Sequence, residues 1–128
     1  MVKSPKDRAA TKAPKSVSRS LPLQRQAPVA PDHHTRQRAE RIAEKLKYFA
    51  QAQRVIILLF LVGGEHTVGK IEESTGIGQP TLSQQLAVLR RGGLVSTRRV
   101  TKQVYYQLAN KDVLFCIKAF DKLLGGDK

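Results

Sequence analysis

The chain has 128 residues and a formal net charge of +13, from 23 Lys and Arg against 10 Asp and Glu. This length holds one domain and little else, and this charge favours a polyanionic partner. The single cysteine excludes an internal disulfide framework, and no apolar run approaches the ~20 residues of a membrane span. We therefore expect a cytoplasmic protein without a membrane partner.

Residues 1–32 are a predicted disordered basic arm. Five of the six prolines lie in residues 1–31, where seven Lys or Arg stand against one Asp. Few large apolar residues are present, so burial cannot offset the entropy lost on ordering. Such an arm is either an electrostatic tether to DNA or a solubilising tail, and the sequence leaves both open.

Residues 33–125 are the predicted folded domain, with a tail at residues 126–128. Two helices are predicted first. The helix at residues 35–50 keeps a 3.6-residue apolar period, whereas residues 53–62 are apolar on all sides and are expected to form the buried centre. His33 and His34 have no further ligands nearby, so we expect no metal there.

A helix, a glycine turn and a second helix follow. Thr67 is a good N-cap for the first helix, which ends in the Thr-Gly-Ile-Gly turn at residues 75–78. In the second helix, residues 79–91, one apolar stripe is expected to pack inward. That stripe consists of Leu82, Leu86 and Leu89.

The opposite face of the second helix carries short hydroxyl and amide side chains. Such groups both donate and accept hydrogen bonds, as contact with base edges in a major groove requires. The alternative is an ordinary amphipathic helix with a polar outer face. The predicted base contacts are Gln79, Thr81, Ser83 and Gln84, with Gln85 on the same face.

A basic hairpin closes this unit, with strands at residues 94–98 and 104–108 around a turn at 99–103. Arg98, Arg99 and Lys102 cluster at its predicted tip, where they would contact phosphates and position the protein without choosing sequence. An isolated basic hairpin is often only a solvated turn. Following this helix pair, it indicates a mainly α fold with a small β-hairpin, a winged helix-turn-helix that binds double-stranded DNA.

The last predicted helix spans residues 111–124 and is capped by Asn110. Its apolar stripe follows a domain that already has a core, so we expect the first and last helices to form a homodimer; alternatively, each packs on its own subunit. A dimer would match a palindromic operator with half-sites ~34–36 Å apart. The stripe consists of Val113, Cys116, Ile117, Phe120, Leu123 and Leu124, with Cys116 expected to be a buried structural thiol.

Residues 75–90, followed by Ser-Thr-Arg-Arg at 96–99 and Lys-Gln-Val-Tyr-Tyr at 102–106, closely resemble the ArsR/SmtB family of bacterial winged-helix repressors. The similarity is greatest to the subgroup of the biofilm growth-associated repressor and its persulfide-sensing relatives. The resemblance implies a homodimer through the first and last helices and a wing on the minor groove or backbone. It also implies base contacts near Gln79, Thr81, Ser83 and Gln84.

The chain departs from the sensor sites that this resemblance would imply. Thr67 and Gly69 stand where metal-sensing relatives carry cysteines, and the last helix has no His. The two cysteine positions of persulfide sensors correspond to Leu59 and to a position near Gly125. We therefore expect no metal, no cofactor and no redox pair within one chain, while a pair of Cys116 thiols between subunits stays open.

The predicted function is a sequence-specific transcriptional repressor that binds a palindromic operator as a homodimer in the bacterial cytoplasm, associated with the nucleoid. The alternative is a non-specific architectural DNA-binding protein. An enzyme is not expected, because the sequence shows no Ser/His/Asp set, paired carboxylates or phosphate-binding glycine loop.

Overall fold

The computed structural model describes residues 30–126. The predicted arm, residues 1–32, lies outside the described residues except for its last three, and residues 127–128 of the predicted tail lie outside them too. No helix among residues 30–126 is both long and apolar enough to cross a membrane. The elements in chain order are α1 His33–Leu46, α2 Ala52–Leu61, β1 His66–Thr67, α3 Val68–Thr75, α4 Thr81–Arg91, β2 Val95–Val100, β3 Gln103–Leu108 and α5 Lys111–Leu124.

The helix ends follow the capping residues of the sequence. Thr67 accepts a hydrogen bond from the backbone N–H of Lys70 and begins α3, as predicted. Gly76 ends α3 with a φ of 75°, in the left-handed region that glycine adopts without strain. Asn110 caps α5 by accepting from the N–H of Val113 at 3.0 Å. The predicted order of helix, glycine turn and helix is therefore present.

The three strands form one antiparallel sheet in the order β1-β3-β2. In the hairpin, Val95 lies opposite Leu108 and Val100 lies opposite Gln103. β2 continues through Val100, so the prediction that the turn begins at Arg99 is wrong. Arg99 lies within the strand, as Arg98 was predicted to, because backbone pairing with β3 extends past residue 98.

The strand β1 was not predicted from the sequence. It contains only His66 and Thr67, which are too few to show an alternating pattern. It pairs with β3, where His66 lies opposite Tyr106. The His66 ring also stacks on Phe60 of α2 with ring centroids 4.4 Å apart. These contacts attach the hairpin to the helical core.

The core lies between α2, α3, α4, α5 and the sheet. The predicted stripe of α4 is fully buried within it, with Leu82, Leu86 and Leu89 at most 1% exposed. The prediction that α2 is buried on all sides is wrong: Ile56 is 43% and Leu59 is 38% exposed. The elements that pack on α2 cover only the side bearing Ile57, Leu58 and Leu61.

The first helix ends earlier than predicted, at Leu46 rather than residue 50. The chain turns there, and Phe49 enters the core with its ring edge-on to Phe120 of α5, at 5.1 Å between centroids. No residue of α1 is buried, and Ile42 and Leu46 are exposed. In the single chain, α1 therefore keeps its apolar side uncovered.

The apolar stripe of α5 is only partly buried. Val113 and Ile117 are buried, and Phe120 packs against them. Cys116, Leu123 and Leu124 are exposed, so the expectation of a buried Cys116 is wrong for the single chain. The buried line runs through positions four and three residues apart, 113, 117 and 120. Cys116 lies to one side of this line.

The cap of α5 gives a direct test of the fold. Asn110→Ala removes the acceptor for the Val113 N–H and should lower the free energy of unfolding by about 0.5–2 kcal/mol. Asn110→Asp keeps a side-chain oxygen there and should retain most of the stability. Urea unfolding followed by circular dichroism measures both variants. Equal losses for the two would show that the side-chain acceptor does not stabilise α5.

Candidate nucleic-acid interface

Four side chains predicted to contact bases lie at the start of α4, which begins at Thr81 rather than at the predicted residue 79. Gln79 precedes the helix, and the other three lie on its outer face. Gln79, Ser83 and Gln84 are exposed, and Thr81 is half-buried. They lie at the N-terminal end of α4, whose buried leucines face the opposite way. The structure therefore brings the four residues together on one exposed surface that carries no charged side chain.

Gln79 and Ser83 are joined to each other. The Gln79 Oε1 accepts from the Ser83 hydroxyl at 2.7 Å and from the Ser83 backbone N–H at 3.2 Å. Because Pro80 provides no side-chain cap for α4, Gln79 performs that role from one residue earlier. The amide N–H groups of Gln79 and the lone pairs of Ser83 point to no protein group among residues 30–126 and are free for a ligand.

Gln84 differs from both neighbours. Its side-chain amide makes no hydrogen bond to residues 30–126, and its backbone N–H donates to the Pro80 carbonyl as part of the helix. An unengaged primary amide offers one acceptor and two donor hydrogens together. Gln84 therefore has the full hydrogen-bonding capacity needed for a bidentate contact with adenine.

Gln85 does not belong to this outer surface, contrary to the prediction. Its Oε1 accepts from the Arg54 Nη1 at 3.0 Å, and its Nε2 donates to the Gln53 Oε1 at 3.3 Å. Position 85 adjoins Leu86 on the helix, at the border of the buried face, so its side chain lies against α2. Arg54 was not singled out from the sequence, because a contact 31 residues away leaves no local signal.

The wing holds its three predicted cations in two different environments. Arg98 forms a two-pronged ion pair with Glu65, with its Nε 2.8 Å from the Glu65 Oε1. The Arg98 guanidinium also lies 5.6 Å from the centroid of the Tyr105 ring. Arg99 and Lys102 are exposed, without a carboxylate partner among residues 30–126. Within the described part of the chain, Arg99 and Lys102 therefore keep a positive charge that no carboxylate neutralises.

The hydrogen bond from Arg98 holds the pKa of the Glu65 carboxyl below its ordinary value of 4.5, and the opposite charge acts in the same direction. The same pair raises the pKa of Arg98. Glu65 precedes β1, and nothing in the sequence near Arg98 indicated it. The stretch without acidic residues from 74 to 111 is therefore basic along the chain, but an acid from outside it reaches the wing in space.

A second group of cations borders the uncharged surface formed by residues 79–84. A cleft of about 430 Å³ lies between α4 and the sheet, and its walls are formed by Ser83, Ala87, Arg90, Arg91 and Tyr106. The helical members are separated by four, seven and eight residues from Ser83, so they share one face of α4. That spacing was visible in the sequence. Neither arginine has a carboxylate partner among residues 30–126.

A separate apolar groove of about 460 Å³ lies among the loop after α1, the helix α2 and the end of α5. Leu59 and Gly125, the positions matched to the persulfide sensors' cysteines, both line it. Cys116 does not. No three His, Cys, Asp or Glu side chains gather as a metal site within residues 30–126. The absence of a metal stays a prediction.

Comparison with known proteins places these features among bacterial regulators. Residues 52–97 match the profile described as "Bacterial regulatory protein, arsR family". Over 80 residues the chain is 49% identical to the biofilm growth-associated repressor of Xylella fastidiosa, a match covering 59% of this chain and 70% of that protein. The profile match at residues 52–97 includes the whole helix-turn-helix, and the resemblance to this family is confirmed.

Solved structures agree with this assignment. The crystal structure of the transcriptional repressor BigR from Xylella fastidiosa superposes with a TM-score of 0.66 and 40% identity, covering 72% of this chain and 91% of that one. A homodimeric winged helix-turn-helix DNA-binding domain from Mycobacterium bovis, a possible ArsR-family transcriptional regulator, superposes with a TM-score of 0.62 and 29% identity, covering 77% of this chain and 96% of that one. The predicted winged helix-turn-helix fold is confirmed.

The pair between Glu65 and Arg98 should appear in the pH dependence of stability. The folded chain lowers the pKa of Glu65 below 4.5, so its contribution is present above pH 4.5 and is lost as the pH falls through the folded value. Glu65→Gln should therefore be less stable than the wild type above pH 4.5, and the difference should vanish in acid. Urea unfolding across this range measures it.

The matched control is Glu40→Gln, which removes an exposed carboxylate that has no ion-pair partner among residues 30–126. It should show a smaller difference from the wild type at every pH. A stability difference for Glu65→Gln that stays constant from neutral pH into acid would contradict a role for the ionised carboxylate.

Proposed function

The chain belongs to the arsR family of bacterial regulatory proteins, and from that membership we propose that it represses transcription by binding a palindromic operator as a homodimer. Proteins of this family are DNA-binding transcription regulators, so the chain is a regulator and not an enzyme. The observation that carries the finer proposal is the uncharged, outward row of Gln79, Thr81, Ser83 and Gln84 on a firmly buried helix.

In the proposed complex, α4 enters the major groove. Its 11 residues span about 16 Å, and a major groove about 12 Å wide admits one α-helix. The free amide of Gln84 suits the N6 and N7 atoms of adenine, and the amide of Gln79 offers a second donor. The Thr81 methyl group suits the methyl of thymine. These contacts would select sequence.

Cations on both sides of this surface supply the phosphate contacts. Arg90 and Arg91 line the cleft beside Ser83, and Arg99 and Lys102 are exposed on the wing. Contacts of this kind fix the orientation of a protein on the duplex and do not choose sequence. Arg98 belongs to the predicted wing contacts as well, but it would have to share its guanidinium with Glu65.

The homodimer is proposed from the uncovered apolar sides of α1 and α5. On α5, Leu123 is 74% and Leu124 is 78% exposed. On α1, Ile42 and Leu46 are exposed too. Apolar side chains of this size, gathered on two helices, indicate a protein-protein contact. The Mycobacterium bovis domain with the same fold is described as homodimeric, which supports this assignment.

The alternative, a non-specific architectural DNA-binding protein, is less well supported. Such a protein gains its affinity from phosphates, and its recognition helix would be expected to carry Lys or Arg toward the duplex. Here the outward face at residues 79–84 has none. We propose instead that the dimer occupies a promoter, on nucleoid DNA in the cytoplasm, and excludes other proteins from it.

Gln84→Ala tests sequence reading. Selection of bound duplexes from a random pool with the wild-type chain first provides an operator. On that operator, Gln84→Ala should weaken binding by about 1–3 kcal/mol, because the amide contact to a base is lost. On a scrambled duplex the loss should be much smaller. Fluorescence anisotropy measures both, and equal losses on the two duplexes would show that Gln84 does not read bases.

Arg90→Gln and Arg91→Gln test the cleft. If each arginine contacts one phosphate, each variant removes two contacts from the dimer and should reduce the slope of log affinity against log salt concentration by about 1.8, on operator and scrambled DNA alike. Arg41→Gln removes the same charge from an exposed position of α1 and should leave the slope unchanged. A slope that stays at the wild-type value in both cleft variants would exclude phosphate binding there.

A further inference from the structure

Arg54, near the start of α2, connects three parts of the chain. Its Nε donates to the Tyr48 carbonyl at 2.8 Å and its Nη2 donates to the Lys47 carbonyl at 3.1 Å. Its Nη1 donates to the Gln85 Oε1 at 3.0 Å. The guanidinium therefore links the loop that follows α1 to the middle of the recognition helix α4.

This link requires an arginine. The guanidinium is half-buried and has no carboxylate partner among residues 30–126; its hydrogen bonds go to neutral oxygens. Two of those oxygens belong to the residues just after α1, at the negative end of the helix dipole, which attracts a cation. A planar fork satisfies three acceptors in different directions, whereas the ammonium of a lysine is a point charge without that geometry.

The same loop contacts α4 at a second point. Gly92 ends α4, and a Cβ atom at Gly92 would lie 2.5 Å from the Cγ of the Tyr48 ring. The ring therefore lies directly on the glycine backbone, where no other residue leaves it room. The neighbouring residue Phe49 turns the other way and packs edge-on against Phe120 of α5.

The loop at residues 47–50 is thus held between two surfaces. Through Arg54 and Tyr48 it contacts the helix that would read bases, and through Phe49 it contacts α5, one of the two helices with an uncovered apolar side. We propose that Arg54, with Gln85 and Tyr48, fixes the orientation of α4 relative to the dimer-forming helices and thereby determines which half-site spacing the protein accepts. This inference rests on the proposed dimeric function.

The physical reason is the geometry of DNA. Two recognition helices of a dimer must enter major grooves about one helical turn apart, and one added base pair moves a half-site by about 3.4 Å along the axis and also rotates it. A dimer rejects the wrong spacing only if each α4 is held rigidly with respect to the dimer interface. The described contacts from α4 to the loop, and from the loop to α5, provide that rigidity.

The experiment measures binding to a series of duplexes by fluorescence anisotropy. The palindrome selected by the wild-type chain is prepared with its half-sites at the natural spacing and at one or two base pairs more or fewer, together with a duplex carrying one half-site. The measured quantity is the ratio of Kd at an altered spacing to Kd at the natural spacing. The variants are Arg54→Lys, Gln85→Met and Gly92→Ala.

Arg54→Lys and Gln85→Met should each lower the spacing ratio by about tenfold, the scale of one lost hydrogen bond to a charged group. Gly92→Ala should lower the ratio too, because its Cβ atom displaces the Tyr48 ring. Affinity for the single half-site should stay near that of the wild type, because the base-reading side chains are unchanged. Gln85→Glu keeps an oxygen for Arg54 and adds an opposite charge, although it loses the hydrogen bond to Gln53, and it should retain most of the wild-type ratio. Arg41→Gln, the matched charge control, should retain it as well.

Three outcomes decide the matter. If Arg54→Lys and Gln85→Met weaken binding to every duplex equally and leave the ratio intact, Arg54 only stabilises the fold and the inference is overturned. Should Arg54→Lys not fold by circular dichroism, Gln85→Met and Gly92→Ala decide by the same ratio. If the wild-type chain itself shows no preferred spacing, the proposed dimeric function is overturned. That result differs from a wild-type preference that the variants preserve, which overturns only the inference about Arg54.

Discussion

The burial of one side of α4 is the constraint from which the rest of the structure follows. Leu82, Leu86 and Leu89 are almost completely removed from solvent against α2 and the sheet. Burying three leucines contributes several kcal/mol, on the order of 1.5–3 kcal/mol each, and it fixes which side of the helix faces outward. The polar residues of the first turn have no freedom to turn inward. The amide of Gln84 is therefore displayed without any hydrogen bond of its own to residues 30–126, whereas the amide of Gln79 is held by Ser83.

The cations of the chain are divided by their partners. Arg98 is held by Glu65, and Arg54 is held by backbone carbonyls and Gln85. Four cations have no carboxylate partner among residues 30–126: Arg90 and Arg91 line the cleft beside Ser83, and Arg99 and Lys102 lie on the wing. The cations among residues 30–126 therefore have two roles. Arg98 and Arg54 form internal contacts that hold the wing and α4, whereas the four cations without a carboxylate partner are available to the phosphate backbone of DNA.

The uncovered apolar sides of α1 and α5 connect these local arrangements to assembly. In the single chain, α1 has 14 residues and none of them is buried. An isolated helix of this length is only marginally stable in water, so it ordinarily needs tertiary packing. A partner surface would supply the missing burial. In the proposed dimer, the loop between α1 and α2 would lie between the subunit contact and the helix that reads DNA, since its residues contact α5 on one side and α4 on the other.

The sequence by itself determined the local elements and the uncharged outer surface at residues 79–84, because both depend on short-range patterns. The caps at Thr67 and Asn110, the glycine turn and the inward leucines of α4 follow from residues a few positions apart. The tertiary structure decided the rest. Whether Gln85 faces DNA or Arg54, whether Arg98 is free or paired with Glu65, and which side of α2 is covered all depend on residues distant in the chain. A partner about 30 positions away leaves no periodic or local signal, so only the packing of the elements reveals it.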